Sequence, residues 1–154
     1  MRVFYRILAY VIAAEVALQA AFMAYAVAGL GIWVQDGGVL DSAVMESEEP
    51  PFDEAIGFMF HGINGMMVLP ALALILLIVS FFAKVKGGVL FAVLVLAWVA
   101  VQVTLGIFGH EAAIFGFLHG LVAFAVYGSA FMAGYRAKKP GPEPMPAAAA
   151  GDAL

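Results

Sequence analysis

Three histidines, His61, His110 and His119, are the side chains of this chain best suited to binding a metal or moving a proton. His61 and His119 lie inside long apolar runs, where an ionisable group is costly and needs a partner within the protein. Their surroundings match. One run opens Glu54-Ala-Ile-Gly57-Phe-Met-Phe-His61-Gly62, the other Glu111-Ala-Ala-Ile-Phe-Gly116-Phe-Leu-His119-Gly120. With one gap, both read Glu-Ala, an apolar turn, then Phe-X-His-Gly. At a rise of about 1.5 Å per residue, both imidazoles fall about 10–12 Å beyond their glutamates.

Two neutral imidazoles at one depth on neighbouring helices could ligate a metalloporphyrin iron from its two faces. The flanking glycines Gly57, Gly62, Gly65, Gly116 and Gly120 leave room for a flat ring, and Phe58, Phe60, Phe115 and Phe117 could wall it. The competing reading is helix packing, which in membranes also favours small residues and polar cross-links. Haem carboxylates usually seek cations. On this side of the chain His110 is the only candidate cation, with Trp33 as a neutral donor.

Other polar residues sit at similar depths. Gln102 is placed to approach the histidines and Asn64 lies one turn beyond His61, so each could support an imidazole from behind. Glu15 and Gln19, four apart, share a helix face. They read as an interhelix hydrogen bond, with a proton relay or a quinone contact as the functional alternative. Met59, Met66 and Met67 read as packing. The absence of cysteine excludes disulfides and thiolate chemistry. There is no phosphate loop, zinc motif or nucleophile constellation, and the basic residues are too few for nucleic acid.

Four apolar helices must position these residues. The chain has 154 residues, 65% hydrophobic and only 12% charged, with a mean hydropathy of +1.03. A chain so short buries too little of its surface to be this apolar in water. The spans run over about 7–33, 55–83, 87–109 and 112–134, each long enough to cross a bilayer. The first is too long for a secretory signal core and reads as a retained helix. Arg2, Arg6, Lys84, Lys86, Arg136, Lys138 and Lys139 all fall on one side, which the positive-inside rule makes cytoplasmic. Asp36, Asp41, Glu46, Glu48, Glu49, Asp53, Glu54 and Glu111 fall on the other. Both termini are therefore expected in the cytoplasm, and the chain in a bacterial plasma membrane.

The expected fold is all-α: an integral membrane four-helix up-down bundle over 1–136, built as a duplicated helical pair. Residues 35–53 form an acidic outer loop without helical pattern, and the Pro- and Ala-rich stretch 137–154 a disordered cytoplasmic tail. The odd-numbered spans repeat more weakly, each with an Ala/Val-X-Gln stretch, around Gln19 and Gln102, then Leu-Gly-Ile at Leu30 and Leu105.

His61-Gly62-Ile-Asn64-Gly65, Gln102-Val-Thr-Leu-Gly106 and Leu118-His119-Gly120 resemble a family of small bacterial four-helix membrane proteins of unknown function. The layout, over roughly Arg6 to Arg136, is also similar to one four-helix half of haem A synthase. There, histidines on the second and fourth helices face one another around a haem. The resemblance implies axial ligand roles for His61 and His119. It does not extend to the synthase carboxylate or arginine, whose positions are Phe58 and Gly62 here, so haem A synthesis is not implied.

The expectation is thus a b-type cytochrome-like electron-transfer protein rather than an enzyme. It holds haem b between His61 and His119, with Gly62, Gly116, Gly120 and Gln102 in the pocket and His110 towards the propionates. Its surroundings would be the lipid bilayer and a redox partner on the outer side. The alternative is a cofactor-free accessory subunit of a larger, respiratory-type membrane complex. A proton or small-molecule conduit through Glu15 is a third reading.

Overall fold

In the computed structural model, which describes residues 1–47 and 49–138, four long helices account for most of the chain. They are α1 (Arg2–Gln35), α2 (Asp53–Ala83), α3 (Gly88–Phe108) and α4 (Ala113–Arg136), each long and apolar enough to cross a membrane. The chain is a multi-pass membrane protein. At about 1.5 Å per residue, α1 runs about 50 Å, well beyond a hydrocarbon core of about 30 Å. Neighbours in sequence are neighbours in space, and α1 closes the ring against α4. The result is an up-down bundle with α2 and α4 on one diagonal.

The basic end is tied shut. The Arg2 Nε–H donates to the Ala137 carbonyl (3.0 Å) and the Tyr5 hydroxyl to the Gly88 carbonyl (2.8 Å). Arg136 lies over the Phe91 ring and Lys138 over the Tyr10 ring. The α2–α3 turn takes Lys84 and Gly87 through the left-handed region (φ 51° and 75°), where glycine carries no steric cost.

The main packed core fills this half of the bundle. Its buried positions are Tyr5, Leu8, Ala9, Ile12 and Ala13 on α1; Leu69, Ala73, Leu76, Val79 and Ala83 on α2; Ala92, Val95 and Val99 on α3; and Val126, Ala130 and Ala133 on α4, with Ala137 in the turn after it. Along α2, α3 and α4 these recur at steps of three and four, the seam that holds nearly antiparallel helices together. The alanines let the backbones approach closely, which is what drives association where lipid is as apolar as the core.

Towards the acidic end the four helices separate into two hairpins. Within the first, α2 presses on α1. A Cβ on Gly57 would lie 2.6 Å from the Phe22 carbonyl oxygen and 3.1 Å from the Ala26 Cβ, and the Glu54 side chain lies over Gly29. Gly57→Ala should therefore cost about 1–3 kcal/mol, the usual range for overpacking. Gly128→Ala, with nothing within 4 Å of the new Cβ, should cost nothing. Unfolding of both variants in mixed detergent micelles checks this.

One expectation changes. The loop 35–53 contains a helical turn, Ser42–Met45, whose first residues are capped by the Asp41 carboxylate accepting from Val44 N–H at 2.9 Å. Glu48 of that loop, and residues 139–154 of the expected tail, lie outside the described residues; Ala137 and Lys138 form a turn following α4.

Candidate functional site

The helix α2 is not uniform. It opens as a short 3-10 turn, runs as α-helix over Ile56–Ile63, widens to a π turn over Asn64–Val68 and resumes as α-helix to Ala83. Pro70 is the local cause. It has no N–H for the Met66 carbonyl, and its ring would collide with that carbonyl in a regular helix. A widened turn just before it relieves both problems, and such turns recur at functional sites.

Gln19, buried on α1, inserts beside this turn. With its amide nitrogen towards the His61 carbonyl (3.0 Å) and its oxygen towards the Gly65 N–H (3.2 Å), it satisfies backbone groups next to the widened turn. Asn64 does not support His61. Its side-chain amide donates to the Glu15 carboxylate on α1, the interhelix hydrogen bond expected of Glu15. A double-mutant cycle on Glu15→Ala and Asn64→Ala should return a coupling of about 0.6–1.7 kcal/mol, the range for polar pairs between membrane helices. Micelle unfolding of the two single variants and the double variant measures it.

Both intramembrane histidines are held alike. The His61 Nδ1 lies 3.1 Å from the main-chain carbonyl of Gln19, and the His119 Nδ1 lies 2.9 Å from that of Gln102. Each imidazole is thus tied to a glutamine carbonyl on the other helix of its own hairpin. For His119 the carbonyl makes Nδ1 the protonated nitrogen. The Gln19 amide nitrogen also approaches the His61 Nδ1, at 2.8 Å. In the tautomer matching His119, the His61 Nδ1–H goes to the carbonyl and the Gln19 amide hydrogen to the His61 carbonyl. Each Nε2 is then left as the acceptor or ligand.

The two rings face each other across the bundle, with centroids 5.9 Å apart and planes at 62°. They stand at a cavity of about 1090 Å³ between the hairpins, a size at the top of the usual range for ligand pockets. Its lining comes from all four helices and is mostly apolar. All seven residues singled out from the sequence line it: His61, His119, Gly62, Gly116, Gly120, Gln102 and His110.

The glycines separate the two readings given to them. A Cβ on Gly62, Gly116 or Gly120 would meet nothing within 4 Å, so these three widen the cavity instead of letting helices touch. Gly57 is the opposite case and serves packing. Gly106 makes room for an imidazole, since a Cβ there would lie 3.1 Å from the His119 Cε1. Gln102 contributes its carbonyl to His119, while its side-chain Oε1 is buried without a hydrogen-bond partner among the described residues. His110 is exposed on the cavity rim at the acidic end.

The aromatic wall differs from expectation. Of the four phenylalanines proposed, only Phe58 lines the cavity. Phe60 packs on Phe22 and Phe115 on Phe108, with centroids 5.4 and 5.9 Å apart, and Phe117 is exposed. Trp33 packs on Phe52 and does not line the cavity. Phe124 and Tyr127, not foreseen, do. Gln19 was also missed as a site residue, although its equivalence to Gln102 is present in the weaker half of the repeat.

Among the described residues, no three or more His, Cys, Asp or Glu side chains converge on a point where they could hold a metal ion. A metal at the histidine pair would need further ligands from outside the chain. Comparison with family models, curated proteins and solved structures finds no match to this chain.

Proposed function

We propose that this membrane protein binds one haem b between His61 and His119 and works as a small b-type cytochrome, passing electrons. The observation that carries the reading is the matched pair of Nδ1-to-carbonyl contacts at one cavity, which, with Nδ1 protonated on both rings, leaves both Nε2 atoms available as ligands. An axial histidine is commonly oriented this way, its other ring nitrogen bonded to a carbonyl. Two imidazoles bound to one metal through bonds of about 2 Å stand with centroids roughly 6 Å apart. The observed 5.9 Å is close to that. Two protein ligands suffice because a porphyrin supplies the other four.

Bound there, haem would supply reversible one-electron iron chemistry. The chain's own residues do the rest. The Gln19 and Gln102 carbonyls fix the tautomer and pitch of each ring. Gly62, Gly116 and Gly120 keep the space between the hairpins open, and the apolar lining excludes water. The carboxylates of the ligand would face the acidic end. His110 stands there, while the described lysines and arginines lie at the other. By the positive-inside rule the basic end is cytoplasmic, which sets the site near the outer face of a bacterial plasma membrane.

Protein purified from native membranes should give a reduced-minus-oxidised optical spectrum with a sharp α-band. A colourless protein isolated in stable association with a larger complex would favour the cofactor-free accessory subunit instead.

A further inference from the structure

The gap between the hairpins opens sideways as well as towards the acidic end. On α2, Leu69–Ala83 packs against both α1 and α3, whereas the backbone of Ile56–Ile63 lies close to α1 and stands off from α3 and α4 among the described residues, with the His61 ring reaching across to His119. On the other side, the contacts from α1 to α4 and the turn after it include Tyr10 with Phe131, Tyr10 with Gly134 and Arg2 with Ala137, in the basic half. Several residues line the cavity and are also largely exposed. Met66 on α2 (60%) and Ile107 on α3 (54%) border one slot, and Phe124 on α4 (77%) with Ala17 on α1 borders the other.

The chemistry of these rims decides what they face. All four are apolar, and both slots open through the sides of helices that span the bilayer. The cavity therefore communicates with lipid hydrocarbon at the depth of the histidines. A pocket built to keep its ligand closes over about 70–90% or more of the ligand surface. This one leaves two edges of a flat ligand towards lipid, a phase in which a porphyrin is itself soluble.

We propose that the slots are a path along which haem passes directly between the membrane and the histidine pair, so that the protein exchanges haem with the bilayer as well as holding it. Loading then needs no unfolding and no route through water. Release needs only loss of the axial bonds and a sideways slide between the hairpins. The proposal rests on the haem reading above.

The cysteine-free chain allows a direct test. Met66→Cys with Ile107→Cys, and Ala17→Cys with Phe124→Cys, would be combined in one chain and bridged across both slots by a reagent with a cleavable spacer. The protein sits in vesicles, haemin is added in donor vesicles, and uptake is followed by the optical spectrum. Release is followed into empty acceptor vesicles. Loading and release by the unbridged variant, whatever the effect of the four substitutions themselves, are the reference rates. Bridging before loading should slow uptake by about tenfold or more, about 1.4 kcal/mol in barrier, and bridging after loading should trap the haem. Cleaving the spacer should restore both rates. Equal rates with and without the bridge, or haem that never leaves the open protein, would overturn the proposal and leave the haem site standing. No haem spectrum at all, even after refolding with haemin in detergent, would overturn both.

Discussion

Replacing His119 by alanine should remove the low-spin spectrum of the haem-loaded protein and weaken haem binding by about 100-fold or more, roughly 2.7 kcal/mol. His61→Ala should do the same, because the two rings are held equivalently, each by a glutamine carbonyl on its own hairpin. The iron would keep one protein ligand in either variant, so residual binding should be high-spin. His110→Ala is the contrast. It stands exposed on the rim and should leave the spectrum intact. None of the three should unfold the bundle, whose core lies in the basic half. Haem titration with optical detection, alongside micelle unfolding of the empty proteins, separates loss of ligand from loss of fold.

Gly120→Phe should empty the site by a different route. The position lines the cavity, and a side chain there meets open space. The benzyl group would occupy room needed by the ligand, and haem binding should fall by about tenfold or more, at least about 1.4 kcal/mol. Stability should hold within about 0.5 kcal/mol or rise, because glycine inside a helix is itself unfavourable. Loss of binding with undiminished stability is the signature of a filled cavity. If Gly120→Phe unfolded the protein, the glycine would instead belong to a helix contact. Gly57→Ala, which strikes the Phe22 carbonyl, is expected to behave in that second way.

The two variants also show what the sequence could and could not convey. The four spans were legible because hydrocarbon thickness sets a length and charge marks the ends. Asp53–Ala83, for example, departs by two residues at one end from the expected 55–83. The pairing of His61 with His119 was legible because the repeat set both at one depth. The roles of individual glycines and phenylalanines were not. A helix apolar all round has no polar stripe to tell its lipid face from its cavity face. Phe60 and Phe115 therefore looked as suited to the cavity wall as Phe58, although they turn to Phe22 and Phe108. The π turn shifts the angular register of α2 within the site, and only Pro70 hinted at it. Gln19 could have been read from its match to Gln102. However, both hold their histidine through a main-chain carbonyl, which every residue has, so residue type alone did not point to that role.

The most direct test of the central claim is a stoichiometric titration of haemin into the purified, empty protein in lipid nanodiscs, read by its optical and electron paramagnetic resonance spectra. One haem per chain, saturating sharply with the low-spin signature of two axial histidines and abolished in the His61→Ala, His119→Ala double variant, is the result predicted. Haemin that partitions without saturation, or a spectrum unchanged in the double variant, would contradict it.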